Sequence, residues 1–250
     1  MPTGIGGEIA WWCPSLDDSG NGTTTLTDFI AAQNGTLTNF ALSGGASNWI
    51  ADTNFDGVRC LDGDGANDYV TCGIGVGNAI GTTSRIEVSL WFRAADTTVA
   101  DNGLFNIGSF SSAYGKVWAR VGPSNEIVCG LNDTACVGRF AFSDVSSWHH
   151  FRMTYDGASL KTYLDGALKT TTGYQAAINC TGQTTILLGY YSSGDTLKGR
   201  LDDVRIMTTE VSAGDWVKLL SKRGYQPASY SDDAGMFGGM SGAMTGGMAS

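Results

Sequence analysis

The chain is poor in positive charge. Lys and Arg total 15 against 24 Asp and Glu, giving a net charge of −9 and a pI of about 4.5. An acidic surface repels phosphate backbones, which argues against a nucleic-acid partner and leaves neutral glycans, cations or a basic protein surface. Histidine is confined to the adjacent pair His149 and His150. Both read as strand residues rather than as catalytic bases. No G-x-S-x-G elbow is present, so nucleophilic hydrolysis has no local signature. No stretch approaches the ~20 apolar residues of a membrane span. Met1-Pro2-Thr3-Gly4-Ile5 lacks the basic start and apolar run of a signal peptide, so an expected location is a virion surface, or outside the cell by another route. Proline is scarce, at four residues, while glycine is abundant, at 36. That ratio suits many short strands joined by tight turns.

What is present is dominated by strand signals. The 250 residues, 42% hydrophobic, fit one large all-β domain with a substantial core. Trp148 to Gly166 is the most regular stretch. Phe151, Met153 and Tyr155 alternate with His150, Arg152 and Thr154, as in a strand with one buried face. Asp156-Gly157 and Asp165-Gly166 predict two tight turns, the first of the primed type, and hence an antiparallel meander. Arg85 to Arg93 alternates as cleanly and predicts another half-buried strand. Val58–Leu61 and Tyr69–Cys72 predict a hairpin around the Asp- and Gly-rich run between them. Ser212, with Asp215 three residues later and Val211 and Trp216 as a hydrophobic staple, predicts one short helix near the C-terminus. Gly224 is its predicted stop.

Trp-His-His-Phe, Thr-Tyr-Asp-Gly and Tyr-Leu-Asp-Gly within residues 148–166 resemble the central hairpin of laminin-G-like domains of the concanavalin A-like lectin/glucanase superfamily. Leu61-Asp62-Gly63-Asp64-Gly65 with Asp68-Tyr69-Val70, and Gly199-Arg200-Leu201-Asp202-Asp203-Val204-Arg205-Ile206, resemble two further motifs of the same family, in the right order. The likeness runs over roughly residues 8 to 223. It implies an all-β, two-sheet antiparallel jelly-roll sandwich over 1–224, closed by the short helix. It does not imply one function.

The resemblance also implies candidate sites. Many members hold one structural calcium between the N-terminal loop and the last strand. The matching positions are Asp17, Asp18, Asn21 and Asp202; the alternative is an Asx-turn loop with solvated carboxylates. No other cofactor is implied. Glucanases of the superfamily place Glu, Asp and Glu alternately on one strand. With only Glu8, Glu87, Glu126 and Glu210 in the chain, that motif is absent, and no catalytic residue is assigned. A glycan site would draw on aromatic faces, with Trp49, Tyr114, Trp118, Tyr190 and Tyr191 as candidates, although most sandwich aromatics are core. Six cysteines leave many pairings open: Cys60 with Cys72 and Cys129 with Cys136 flank predicted hairpins, and Cys13 and Cys180 remain. The alternative is six reduced thiols; a fold that works outside cells implies some disulfides.

Residues 225–250 differ in kind. They carry no Lys or Arg, and Met236, Met240, Met244 and Met248 recur every four residues among glycines. The segment reads as a flexible tail or as a partner-anchoring one. Together these features lead first to a non-enzymatic recognition or structural module on a phage particle, a capsid decoration or tail-associated protein held by this tail. The second reading is a free calcium-dependent lectin or adhesin, and the third a glycoside hydrolase. Expected partners are a glycan or protein surface, capsid or tail proteins, or a second copy of the chain.

Overall fold

A computed structural model describes residues 7–17, 23–42, 48–51, 59–97, 102–108, 115–145, 147–188 and 196–221. The first strands are β1 (Glu8–Trp12), β2 (Thr25–Leu26), β3 (Gly35–Thr38), β4 (Asn48–Ala51), β5 (Arg59–Asp64) and β6 (Tyr69–Thr71). Helix α1 (Gly75–Ile80) leads into β7 (Thr82–Thr83), β8 (Ile86–Ala94), β9 (Asn102–Gly108), β10 (Val117–Gly122), β11 (Glu126–Leu131) and β12 (Cys136–Ala141). Then come β13 (His149–Tyr155), β14 (Ser159–Leu164), β15 (Ala167–Gly173), β16 (Ile178–Asn179), β17 (Thr184–Leu187), β18 (Lys198–Met207) and helix α2 (Ala213–Ser221).

Two antiparallel sheets face each other. The first runs β15-β14-β13-β8-β18-β5-β4, with β1 also on β18. The second runs β12-β11-β10-β9-β17-β6-β3-β2, and β16 and β7 form a small separate pair. Ile86, Val88, Leu90 and Phe92 of β8 join Phe151 and Met153 of β13 and Val117, Ile127 and Leu131 of the opposite sheet in one core. This is the alternation expected of a pleated strand with one face turned inward.

The β13–β14 hairpin is as predicted, with Phe151 opposite Leu164 and Tyr155 opposite Leu160. The two Asp-Gly turns differ. Asp165 and Gly166 both have positive φ, at 51° and 80°, which is the primed form after β14. After β13 only Gly157 does, at 90°. There the Asp156 carboxylate accepts the N–H groups of Ala158 and Ser159 and builds the turn itself.

Three expectations are corrected. β5 and β6 do not pair as a hairpin: β5 pairs with β18 and β4 in the first sheet, and β6 with β17 and β3 in the second. The Asp62–Asp68 run is a corner between sheets, held by the Asp64 N–H donating to Asp68. Second, β8 is buried on both faces, not one, because α2 and the segment before it cover its outer side. Third, none of the six cysteines is in a disulfide, and all six are buried. Cys60 and Cys72 lie on different sheets. Cys129 faces Gly138 and Cys136 faces Leu131, so the two are offset along their hairpin. Cys13 sits against Asp202, whereas the Cys180 N–H bonds to Gly81 O, at the end of α1. Burial raises the thiol pKa of Cys13, Cys72, Cys129 and Cys180, the last to about 12.

Strand β18 changes partner midway. Lys198–Leu201 pair with β5 and Val204–Met207 with β1, and the register against β8 shifts between Asp202 and Arg205. Asp203 takes a positive φ of 51° at this bulge. Its carboxylate accepts from the Trp11 indole at 2.7 Å and Arg205 Nε at 2.8 Å, while Arg205 also donates to Glu8 at 2.8 Å.

Candidate functional site

The ends of β8, β13 and β18 converge on the outer side of the first sheet. Glu87 stands opposite Thr154 on β13 and Met207 on β18. A recess of about 270 Å³ opens there, lined by Arg85, Glu87, Thr154, Asp156, Lys161, Thr208, Thr209 and Glu210, with Ile86 and Tyr155. Its polar groups come from four separate segments. Charges of both signs and threonine hydroxyls converge on a space suited to one small polar residue of a ligand.

The carboxylates differ in their freedom. Glu87 is buried and accepts two hydrogen bonds of 2.8 Å from Arg152 Nε and Nη2, plus one of 3.3 Å from the Val211 N–H. Burial pushes its pKa up, against the opposing pull of Arg152. Asp156 is exposed, and the N–H groups of Ala158 and Ser159 hold its pKa down at about 2. Lys161 lies 3.3 Å from it. A raised carboxyl beside a depressed one is the pattern of a glycosidase acid and its partner. Here, though, the raised member is sealed by a bidentate arginine and the depressed one is tied into its own turn. Neither is presented to a glycosidic bond. Arg85 and Glu210, both exposed, also line the recess.

Behind the recess, α2 lies on the outer side of the sheet. Its N-terminus carries the predicted capping pair: Asp215 N–H donates to Ser212 Oγ at 3.1 Å, and that hydroxyl donates to the Asp215 carboxylate at 2.8 Å. Arg152 stacks on Trp216 at 4.2 Å and faces Tyr163 at 5.2 Å. His150 is wedged between Trp91 and Trp216, at 5.2 and 5.0 Å between ring centres. Burial lowers its pKa to about 4, outweighing the nearby Asp203 and Asp165; Arg205 and Arg152 lower it further. His149 behaves oppositely. Burial works to lower its pKa, but the Asp165 carboxylate 2.7 Å from Nδ1, and Asp144 beyond Nε2, raise it overall. Among the described residues its two nitrogens face two acids, rather than the acid and nucleophile of a hydrolytic triad.

The sequence candidates distribute unevenly. Asp17 and Asp202 are buried carboxylates at either side of the Cys13–Asp17 turn, of the right chemistry for a hard cation. Each already accepts hydrogen bonds: Asp17 from the Thr27 N–H and hydroxyl, Asp202 from the N–H groups of Ser15 and Asp203. Asp18 and Asn21 lie outside the described residues. Among the described residues no group of three or more His, Cys, Asp or Glu could hold a metal ion. Trp49 and Trp118 are buried, at 4% and 3% exposure, and their indoles donate to the carbonyls of Thr23 and Asp133. They brace the fold and offer no open stacking face. Tyr114, Tyr190 and Tyr191, and Met236, Met240, Met244 and Met248, also lie outside the described residues. The recess itself was missed, because Arg85, Thr154, Lys161 and Glu210 share no local spacing. No described helix is long and apolar enough to cross a membrane.

A laminin-G family model of the concanavalin A-like lectin/glucanases superfamily matches residues 64–215. No curated protein matches the chain in sequence. Solved structures of similar fold include domain 4 of AbnA, an extracellular arabinanase from Geobacillus stearothermophilus, solved with arabinotriose. It has a TM-score of 0.58 and 14% identity, over 86% of this chain and 98% of that one. A Trypanosoma rangeli sialidase has a TM-score of 0.63 and 9% identity, over 86% of this chain and 32% of that one. The ligand-binding domain of botulinum neurotoxin serotype D, solved with N-acetylneuraminic acid, has a TM-score of 0.59 and 14% identity, over 87% of this chain and 51% of that one. The chain thus spans about a third of the sialidase and half of the neurotoxin domain, and at these identities the likeness is one of fold.

Proposed function

The chain belongs to the laminin-G family of the concanavalin A-like lectin/glucanases superfamily, and from that membership we propose that it is a non-enzymatic glycan-recognition module. The recess at the ends of β8, β13 and β18 carries the reading. It offers hydroxyls and charges of both signs in a space for about one sugar residue, while Glu87 is held by Arg152 and Asp156 accepts the N–H groups of its own turn. Two structures of like fold were solved with saccharide ligands, arabinotriose and N-acetylneuraminic acid, which supports the same class here. Placement on a phage particle rests on residues 225–250, outside the described residues, and draws no support from the comparisons.

The test is a glycan array with the full chain, run with and without chelator. Binding is expected, and Arg85→Ala and Glu210→Ala should each weaken it several-fold without unfolding the domain. The chelator arm also asks whether Asp17, Asp18, Asn21 and Asp202 hold calcium. Absence of any glycan binding, or release of new reducing ends from a bound glycan, would overturn the proposal.

A further inference from the structure

At the opposite end of the same sheet lies a second recess, of about 190 Å³, lined by Asp62, Arg93, Ala94, Ala95, Val145, Gly199 and Arg200. Three of these stand in one row across three strands. Arg93 of β8 faces Arg200 of β18, and Arg200 faces Asp62 of β5. Gly199 makes the approach possible. It has a φ of 145°, and a Cβ there would collide with the Arg93 carbonyl. A side chain at 199 would therefore push β18 away from β8 and separate the two arginines.

Like charges directly opposite on neighbouring strands disfavour the pairing. In a chain with 15 basic residues against 24 acidic ones, two arginines nevertheless stand opposite each other and line one recess. One acid stands with them in the lining: Asp62, whose Oδ1 lies 3.6 Å from Arg200 Nε. Among the described lining residues, two arginines face one carboxylate. Two guanidinium forks beside small, open residues suit an oxyanion, because each fork can donate two parallel N–H bonds to one acceptor group. Val145, 37% exposed, supplies an apolar edge for the body of a ligand.

We propose that this recess is an oxyanion-binding site, taking a carboxylate or sulfate between Arg93 and Arg200. The site does not depend on the glycan reading, since it shares no residue with the first recess. The group has two sources, an acidic sugar or a free inorganic anion, and titration of the full chain at constant ionic strength separates them. The probes are glucuronate, sodium sulfate and, as a neutral control, glucose. Saturable binding of glucuronate or sulfate, but not glucose, is expected. Tighter glucuronate than sulfate assigns the site to an acidic saccharide; the reverse order or equality assigns it to the inorganic anion. Losing one charged donor should weaken binding by about tenfold or more in Arg93→Ala. Asp62→Asn removes the competing acid and should strengthen it. Arg93→Ala should also leave the melting temperature of the ligand-free protein unchanged or higher, since it relieves a like-charge pair; a purely structural Arg93 would lower it. No saturable anion binding at millimolar concentration, or binding indifferent to both substitutions, overturns the proposal.

Discussion

Arg152 lies over the ring of Trp216, 4.2 Å from its centroid, and so joins the central strand to the C-terminal helix. The same guanidinium is held from below by Glu87. One side chain thus connects the rim of the first recess to the element that covers the sheet. Trp216→Ala should cost about 2 kcal/mol or more, because it removes a part-buried aromatic and its cation partner together. Chemical denaturation measures this, and Trp216→Phe should recover part of the loss.

Breaking the ion pair from its other side is a separate matter. Glu87→Gln leaves the Arg152 charge buried beside a weaker acceptor, and should destabilise by about 3 kcal/mol. The double substitution Glu87→Gln with Arg152→Met should cost less than Glu87→Gln alone, since no uncompensated charge remains. A double-mutant cycle in urea reads the difference.

The adjacent histidines should impose opposite pH dependences. His149 has a raised pKa, so its contribution is complete below its ordinary value of 6.5 and is lost as pH rises through the folded value. His150, held near 4, contributes fully above 6.5 and loses its contribution as pH falls through 4. Acidification would add a proton beside Arg152 and Arg205, which already oppose it. Melting temperature against pH should therefore lose part of its acid-side slope in His150→Phe. Asp165→Asn should reduce the fall above pH 6.5.

The cysteines give a direct chemical readout. All six are buried thiols, so a thiol reagent should label none rapidly in the native protein and all six in denaturant. Reducing agent should leave the melting temperature unchanged. Fewer than six reactive thiols in denaturant without reductant would reveal a disulfide.

Much of the architecture was legible where the signal was local. The strand at β13, the Asp165-Gly166 turn and the Ser212–Asp215 cap each follow from residues within a few positions of one another, but the expected single buried face of β13 does not hold, since His150 and Arg152 on its other face are buried as well. Pairing across the chain was not. Asp62–Asp68 has the composition of a hairpin turn, but Leu61 pairs with Leu201 and Val70 with Leu187, which lie far along the sequence. The same limit hid both recesses. Arg93 and Arg200 are neighbours only because β18 returns beside β8, and the arginine at 93 read in isolation as one polar residue of an alternating strand.

Strand β1 closes the first sheet by pairing Glu8 with Met207 and Trp12 with Val204. Strand β1 therefore finds its mate only after β18, far along the chain, has been made. Until then its tryptophans have the 28–33 segment as a local partner, Trp11 against Phe29 and Trp12 bonded to Gln33 O, but lack the β18 side of their packing. Such distant closure slows folding and leaves sticky edges waiting. The yield of this domain in a cell should therefore depend on how well nascent chains are shielded during that delay.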